Sequence, residues 1–153
     1  MPDYLLGRDA KAYFSTTALT GANTATVLGS ATLAGNIMDL TLEVDSEYVD
    51  STTRSEAAAG FKSEIAVLKN GRITFDARWK PGDAFFEALK DVWLGTTSSI
   101  TFFALDQAKA TTGAQGLVGN FTVGFSKTEP LRDVQKISVT LSIASFPEWY
   151  EVP

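Results

Sequence analysis

Cysteine and histidine are both missing from the 153-residue sequence. Without cysteine, the chain can form no disulfide, offers no thiol nucleophile and cannot build a Cys-ligated zinc or iron–sulfur site. Without histidine, it lacks the commonest metal ligand and the usual general base near neutral pH, so Ser-His-Asp and Cys-His catalysis are impossible. Carboxylate, Lys or Tyr chemistry is still allowed. The sequence nevertheless predicts a protein that is not an enzyme and that uses no cofactor.

Long apolar runs are also missing. The longest uncharged stretch, residues 12–38, is interrupted by Ser, Thr, Gly and Asn, so it predicts no transmembrane helix. The first residues lack the basic and apolar regions of a signal peptide. Basic residues are scattered and outnumbered by acids, 13 to 18, which gives sequence-specific nucleic-acid binding little support. The length predicts one domain, residues 1–153, with a full hydrophobic core.

The net charge of −5 is concentrated in one segment. Residues 39–56 contain six acids and one base, whereas bases and acids balance in the rest of the chain. The sequence therefore predicts a neutral globule with one acidic segment. A calcium loop built from Asp45, Glu47 and Asp50 is a weak alternative, because their spacing does not match an EF-hand.

Alternating apolar and polar residues predict antiparallel strands with one wet face. The clearest segments are residues 38–44, 72–79, 120–126 and 136–143, and the shorter candidates are residues 11–15 and 26–30. Residues 99–105 are apolar on both faces, which indicates a central or helix-covered strand. Asn70-Gly71 predicts a hairpin turn between residues 65–68 and 73–79. The polar face of residues 120–126 includes Asn120.

One helix is predicted over residues 83–94, with Asp83 as its N-cap and an apolar stripe at helical spacing. Residues 45–60 and 106–116 are predicted to form long loops, which in compact domains are usually functional. The wet strand faces suit either an ordinary solvent-facing sheet or the lining of a water-filled channel. Trp79, Trp93 and Trp149 raise the weaker alternative of a sugar-stacking platform.

Several segments, in this order and at this spacing, resemble one known family. They are residues 6–13, 39–42, 49–54, 60–63, 68–71, 73–76 and 79–83, and most of all residues 121–126, 129–131 and 137–141. In these segments the chain resembles the tail tube proteins, or major tail proteins, of long-tailed bacteriophages. The resemblance covers nearly the whole chain, although no single motif is diagnostic. Residues 146–150 depart from the commoner small-residue ending.

The resemblance implies a mainly β fold: a β-sandwich or partial barrel of two antiparallel sheets with one flanking α-helix. It also implies hexameric rings that stack into a tube, whose inner strands close into one barrel and let DNA pass without specific binding. The implied partners are further copies of the chain and the tape measure, tail tip and terminator proteins. The implied location is the virion tail, after synthesis in the host cytoplasm. A gene-transfer or secretion-type tube protein is an alternative, and a carbohydrate-binding or adhesin module is a less favoured one.

Three groups of residues are candidates for contact under this resemblance. The candidate lumen residues are Asp39, Thr41 and Glu43. The candidate ring-stacking loop, residues 45–60, contributes Asp45, Glu47, Tyr48, Asp50, Arg54 and Glu56. The candidate basic partner surface consists of Lys62, Lys69, Arg72, Arg78 and Lys80. An acidic, hydroxyl-lined bore would repel phosphate, and the basic surface would receive the acidic loop of a neighbouring subunit.

Overall fold

A computed structural model describes residues 7–54, 59–60 and 62–153. Seven strands in these ranges form one antiparallel sheet, and two α-helices and one short 3₁₀-helix, Gly7–Asp9, accompany it. The strands are β1 (Lys11–Ser15), β2 (Thr32–Leu33), β3 (Ile37–Asp50), β4 (Glu64–Arg78), β5 (Ile100–Leu105), β6 (Gln115–Thr128) and β7 (Lys136–Glu151). The helices are α1 (Thr24–Ser30) and α2 (Ala84–Trp93). The mainly β prediction is therefore confirmed.

The sheet curls so that its two end strands come together. Its strand order is β2-β1-β5-β6-β7-β4-β3, yet β2 and β3 are separated along the chain only by residues 34–36. This short connection is tied at both ends. The Ala34 amide donates to the Ala12 carbonyl at 2.9 Å, and the Arg78 amide donates to the Asn36 carbonyl at 3.3 Å.

The prediction of two separate sheets is wrong, because β6 and β7 run through both halves of the curl. β7 has two extra residues where it passes β6, since Val118 pairs with Glu148 while Phe121 pairs with Ile143. Phe146, in this irregular stretch, has a φ of 49°, the left-handed value that non-glycine residues rarely adopt. Bulges of this kind bend a strand without ending its ladder, so one sheet forms both layers.

The core lies on both faces of the central strand β5. Phe102 faces a cluster with Phe14, Phe75 and the α2 side chains, whereas Phe103 faces a second cluster under α1. The two Phe residues point to opposite faces because successive strand residues alternate. The prediction that residues 99–105 form a central or helix-covered strand is confirmed, since β5 lies inside the sheet and has a helix on each face.

Helix α2 forms where its N-cap and apolar stripe predict it. The Asp83 carboxylate accepts a hydrogen bond from the Phe85 amide at 3.3 Å, which satisfies one of the free donors of the first turn. Phe85, Phe86 and Leu89 are buried against the sheet. The predicted apolar stripe consists of Phe85, Leu89, Val92 and Trp93 and does not include Phe86. Phe86 stacks on Trp79, with ring centroids 5.2 Å apart.

Helix α1 replaces the short strand predicted at residues 26–30, so the prediction of a single helix is wrong. Its sequence, TATVLGS, has low helix propensity, and tertiary contacts stabilise it instead. Val27 and Leu28 are buried, and the Lys109 ammonium donates to the carbonyls of Leu28 and Ala31 at 3.1 and 2.8 Å. A cation at this position satisfies the free carbonyls of the last turn.

Asn70-Gly71 does not form the predicted hairpin turn. β4 runs through both residues, and Asn70 pairs with Asp45 of β3 and Gly71 with Val44. A Cβ at residue 71 would lie 2.5 Å from Cδ1 of Ile143, the end of a flexible side chain that would have to move aside. The glycine thus marks a close approach of β4 to β7, which turn propensity does not detect.

Asn120 is buried, at 2% exposure, and does not lie on the predicted wet face. Its side-chain oxygen accepts hydrogen bonds from the Leu19 amide at 3.0 Å and from the Thr101 hydroxyl at 2.8 Å. Its side-chain amide donates to the Leu19 carbonyl and to the Ser145 hydroxyl, both at 3.0 Å. The network joins β5, the bend of β7 and the segment before α1, so it holds the corner of the sheet.

We expect Gly116→Ala to destabilise the protein strongly. A Cβ at residue 116 would lie 1.7 Å from the Ala104 carbonyl oxygen, and backbone cannot move aside as a flexible side chain can. The expected cost is about 3 kcal/mol, which for this chain length corresponds to a fall in Tm of about 10 °C in a thermal melt.

Gly124→Ala is the matched control on the same strand, because nothing lies within 4 Å of the added carbon. Its Tm should stay close to that of the unmodified protein. Equal Tm values for the two variants would show that β5 and β6 are not packed this closely.

Candidate functional site

Four neighbouring strands present one continuous polar surface, here named the polar face. Residues directly opposite each other in antiparallel strands share a face, and the register aligns hydroxyl residues across β3, β4, β7 and β6. One row runs through Thr41, Thr74, Thr140 and Gly124. The polar face comprises Thr41, Glu43, Arg72, Thr74, Asp76, Arg78, Lys136, Ser138, Thr140, Ser142, Thr122, Gly124, Ser126 and Thr128.

The polar face has charges of both signs. Glu43 lies opposite Arg72, and Arg78 lies opposite Lys136. The Asp76 carboxylate accepts a hydrogen bond from the Ser138 hydroxyl at 2.7 Å. The polar face is therefore not uniformly acidic, because β4 places Arg72 and Arg78 on it beside the acid of β3. Hydroxyl groups predominate between the charges.

Two of the three candidate lumen residues, Thr41 and Glu43, lie on the polar face. Asp39 lies at a register shift of β3, between the paired residues Ile37 and Leu40, and lines a cleft between the two ends of the curled sheet. This cleft measures about 960 Å³ and is also lined by Leu33, Met38 and Trp149. The alternating pattern thus places two of the three residues together, and the bulge separates the third.

The polar face is bounded by two open strand edges in the described part of the chain. β3 pairs only with β4 and so leaves its outer edge free along its length. β5 stops pairing with β6 at Phe121, so residues 122–128 of β6 have β7 on one side and no described strand on the other. Open edges carry unpaired backbone groups that can pair with another chain.

The end of the β3–β4 hairpin projects from the sheet as a two-stranded ribbon, residues 44–50 and 64–71. β4 pairs with β7 only from Arg72 to Arg78, so this ribbon has no third strand among the described residues. Its exposed apolar side chains are Val44, Tyr48, Val49, Ile65 and Leu68. Apolar side chains gathered on a projecting ribbon indicate a contact surface.

The candidate ring-stacking loop is shorter than residues 45–60. Asp45, Glu47, Tyr48 and Asp50 lie in the paired strand β3, opposite Asn70, Leu68, Ala66 and Glu64. The prediction of a loop is therefore wrong for these residues. Both faces of an exposed ribbon contact solvent, so its strands lack the apolar and polar alternation from which strands were predicted. Arg54 is exposed just beyond the strand. Glu56 lies outside the described residues.

Hydrogen bonds join the two segments that flank residues 53–62, here named the loop base. The Ser51 amide donates to the Ser63 carbonyl at 2.9 Å, and the Ser63 amide donates to the Thr52 hydroxyl at 2.9 Å. Hydrogen bonding to the hydroxyl and then the amide of Thr52 lowers the pKa of Asp50, and the charge of Lys62 adds to this. Lys62 in turn lies 3.0 Å from Glu64, which raises the pKa of Lys62.

The candidate basic residues do not form one surface. Arg72 and Arg78 lie on the polar face, and Lys69 lies on the opposite side of the ribbon, across from Ser46. Lys62 is beside the loop base, and Lys80 is exposed in the turn before α2. The five bases are thus divided between the two sides of β4 and the segments that precede and follow it.

A second cleft, of about 520 Å³, separates the ribbon from the last part of β7. Its apolar lining consists of Val44, Tyr48, Leu117, Ile143, Pro147 and Trp149, and its remaining lining includes Asp45, Lys69 and Glu148. The Trp149 indole donates to the Gln115 side chain at 3.0 Å. No local sequence pattern marks this cleft, since its position depends on where β4 stops pairing with β7.

Neither helix in the described ranges has the length and hydropathy that crossing a membrane requires. Across the same ranges, no three acidic side chains come together as a metal site would require.

We expect Asp50 to titrate below its ordinary pKa, and Thr52→Val to bring that pKa back up. Because the folded-state pKa is lowered, the carboxylate stabilises the loop base above its unfolded pKa, and this contribution is lost as pH falls through the folded value. Carboxyl-detected NMR titration measures the pKa of Asp50 in the natural protein and in the Thr52→Val variant. Ser51→Ala is the control, and a Thr52→Val variant with an unchanged Asp50 pKa would contradict the assignment.

Comparison with known proteins gives matches at the level of structure. No protein-family model matches the sequence, and no curated protein matches it. The chain is similar to the SPP1 tail tube, with a TM-score of 0.69 and 18% identity over 97% of this chain and 80% of that one. It is similar to the tail of an empty gene transfer agent particle with C6 symmetry, with a TM-score of 0.68 and 15% identity over 96% and 99%.

A third similar structure is the baseplate of the anti-feeding prophage, with a TM-score of 0.60 and 8% identity over 99% of both chains. At sequence identities this low, the similarity shows a shared fold and nothing about function. The resemblance read from the sequence is confirmed at this level: the chain has the tail tube protein fold.

Proposed function

We propose that the protein is a structural subunit of a tail tube, forming hexameric rings that stack into a hollow tube for DNA. The observation that carries this proposal is the polar face bounded by two open edges. The fold supports it, because the similar structures are a tail tube, a gene transfer agent tail with C6 symmetry and the baseplate of the anti-feeding prophage. A subunit of a gene-transfer or injection-type particle would use the same face.

The open edges suit addition of a neighbouring subunit. The outer edge of β3 in one copy and residues 122–128 of β6 in the next would pair as adjacent antiparallel or parallel strands. The two edges differ, so the contact is head-to-tail, and it closes into a ring when the rotation between copies divides a full turn. Closure would remove the exposed edges that each separate copy carries.

The polar face would then line the bore. Its hydroxyl rows bind water and carry no fixed charge, and Glu43 lies beside Arg72, so adjacent bases occur only where Arg78 pairs with Lys136 and the face carries no extended basic surface. Sequence-independent DNA binding depends on such basic surfaces, so DNA would pass with little retention. Thr41 and Glu43 are the proposed lumen residues on β3.

The ribbon and the loop at its tip would contact the next ring. The exposed apolar residues of the ribbon offer area, and the loop base fixes the direction in which the loop leaves the strands. By resemblance, the tape measure protein would meet the bore, and the tail tip and terminator proteins would meet the ends of the tube. The assembled location would be the tail of a virion or a similar particle.

The sugar-binding alternative gains no support from the three tryptophans. Trp79 stacks on Phe86, and Trp93 contacts the ring of Phe125 at a centroid distance of 5.9 Å. Trp149 lies in the clefts at the other end of the long strands. The three indoles therefore do not form one platform.

The purified protein should form rings or tubes in a concentration-dependent manner. Mass photometry of dilute protein and negative-stain microscopy of concentrated protein measure this. A chain that stays monomeric under all conditions, including with a tail-tip nucleus, would refute a tube function.

Replacing residues 53–62 with Asn-Gly should keep the fold and prevent ring stacking. The strand pairs up to Asp50 and Glu64 remain, and Asn-Gly suits a tight connection, so the Tm should change little. A Gly/Ser segment of the original length is the control that separates loop length from loop sequence. Normal tubes from the shortened variant would show that the loop does not contact the next ring.

A further inference from the structure

The turn between β6 and β7, residues 129–135, carries an unusually exposed apolar side chain. Leu131 is 96% exposed, and Val134 in the same turn is 46% exposed. A single exposed leucine is ordinary on a protein surface, so its exposure alone indicates nothing. Its position is informative, because it lies at the tip of a hairpin and beyond the last pair, Thr128 with Lys136.

The cleft between the ribbon and β7 is suited in size and lining to bind such a side chain. Six apolar residues line its volume of about 520 Å³, which falls in the range of pockets that bind ligands. Gly71 forms part of the wall, and the absence of a side chain there keeps the floor open toward Ile143.

The turn and the cleft lie at opposite ends of the same strands. Arg78, Lys136 and Thr128 are aligned across β4, β7 and β6 at the end that carries the turn. Gly71 and Ile143 lie toward the other end, seven residues from Arg78 and Lys136 along β4 and β7. At about 3.3 Å per residue, the two features are separated by about 23 Å along the strand axis.

The two ends also differ in charge. Two ion pairs join acids of the turn to lysines at the strand ends: Glu129 with Lys127 at 2.8 Å and Asp133 with Lys136 at 3.5 Å. Arg132, Arg78 and Lys80 add three bases at this end and Asp83 adds one acid, so the net charge there is +2. The ribbon end has five acids against three bases, a net of −2, from Asp45, Glu47, Asp50, Glu64 and Glu148 with Arg54, Lys62 and Lys69.

We infer that residues 130–132 of one copy dock into the cleft between the ribbon and β7 of a second copy, with Leu131 as the apolar anchor. The inference rests on the proposed function and specifies how successive rings meet. An apolar tip and an apolar cleft on different surfaces give a heterologous contact, which repeats along the strand axis without closing. The two ends have opposite net charges, which favours contact between unlike ends over contact between two like ends.

Cysteine cross-linking tests the contact, because the natural chain has no cysteine to interfere. Leu131→Cys is combined with Val44→Cys, which lines the cleft, and assembled protein is treated with a short bis-maleimide. We expect a ladder of covalent multimers on a denaturing gel, since each copy links to two others. Leu131→Cys with Val49→Cys is the matched control, because Val49 is an exposed valine of the same strand that does not line the cleft.

Leu131→Asp should raise at least tenfold the protein concentration at which tubes appear and leave the Tm of the monomer unchanged. Leu94→Asp is the control, since Leu94 is exposed and lies outside the turn. If natural tubes form, yet the Val44 pair gives no ladder and Leu131→Asp assembles normally, the inference is overturned and the proposed function stands. If the natural protein forms no tubes, the proposed function itself fails.

Discussion

The structure depends on the pairing of β6 with β7 through a bend. Two extra residues in β7 let the ladder continue from the four-stranded polar half of the sheet into the half that covers α1. Beside the bend, the segment before α1 has its Leu19 backbone groups bound by the buried Asn120 side chain, which also donates to the Ser145 hydroxyl of β7. A buried polar group that makes all its hydrogen bonds can specify one arrangement, whereas a partly satisfied one is costly.

The exposed features follow from this bend. β7 turns away after Ile143, so β4 and β3 continue without a third strand and become a ribbon with a cleft behind it. β5 pairs only with the first part of β6, which leaves residues 122–128 with an open edge. The projecting ribbon and the cleft behind it are therefore products of one change in strand direction.

Much of the fold could be read from local pattern. The N-cap at Asp83 and the apolar stripe after it placed α2, and the doubly apolar segment around Phe102 and Phe103 placed the central strand. Errors occurred where distant contacts override local preference. Asn70-Gly71 favours a turn by itself, but both residues pair with β3 within a longer hairpin. The carbonyls of α1 are bound by Lys109, whereas the helix propensity of its own sequence is low.

The candidate site divides in the same way. Alternation in the sequence determined that Thr41 and Glu43 share a wet face, because successive side chains of any strand point to opposite sides. Which strands lie beside that face, how acids and bases combine on it and where its edges open were decided only by the tertiary structure. Register, bulges and the bend of β7 depend on contacts between residues far apart in the chain, and no local pattern encodes them.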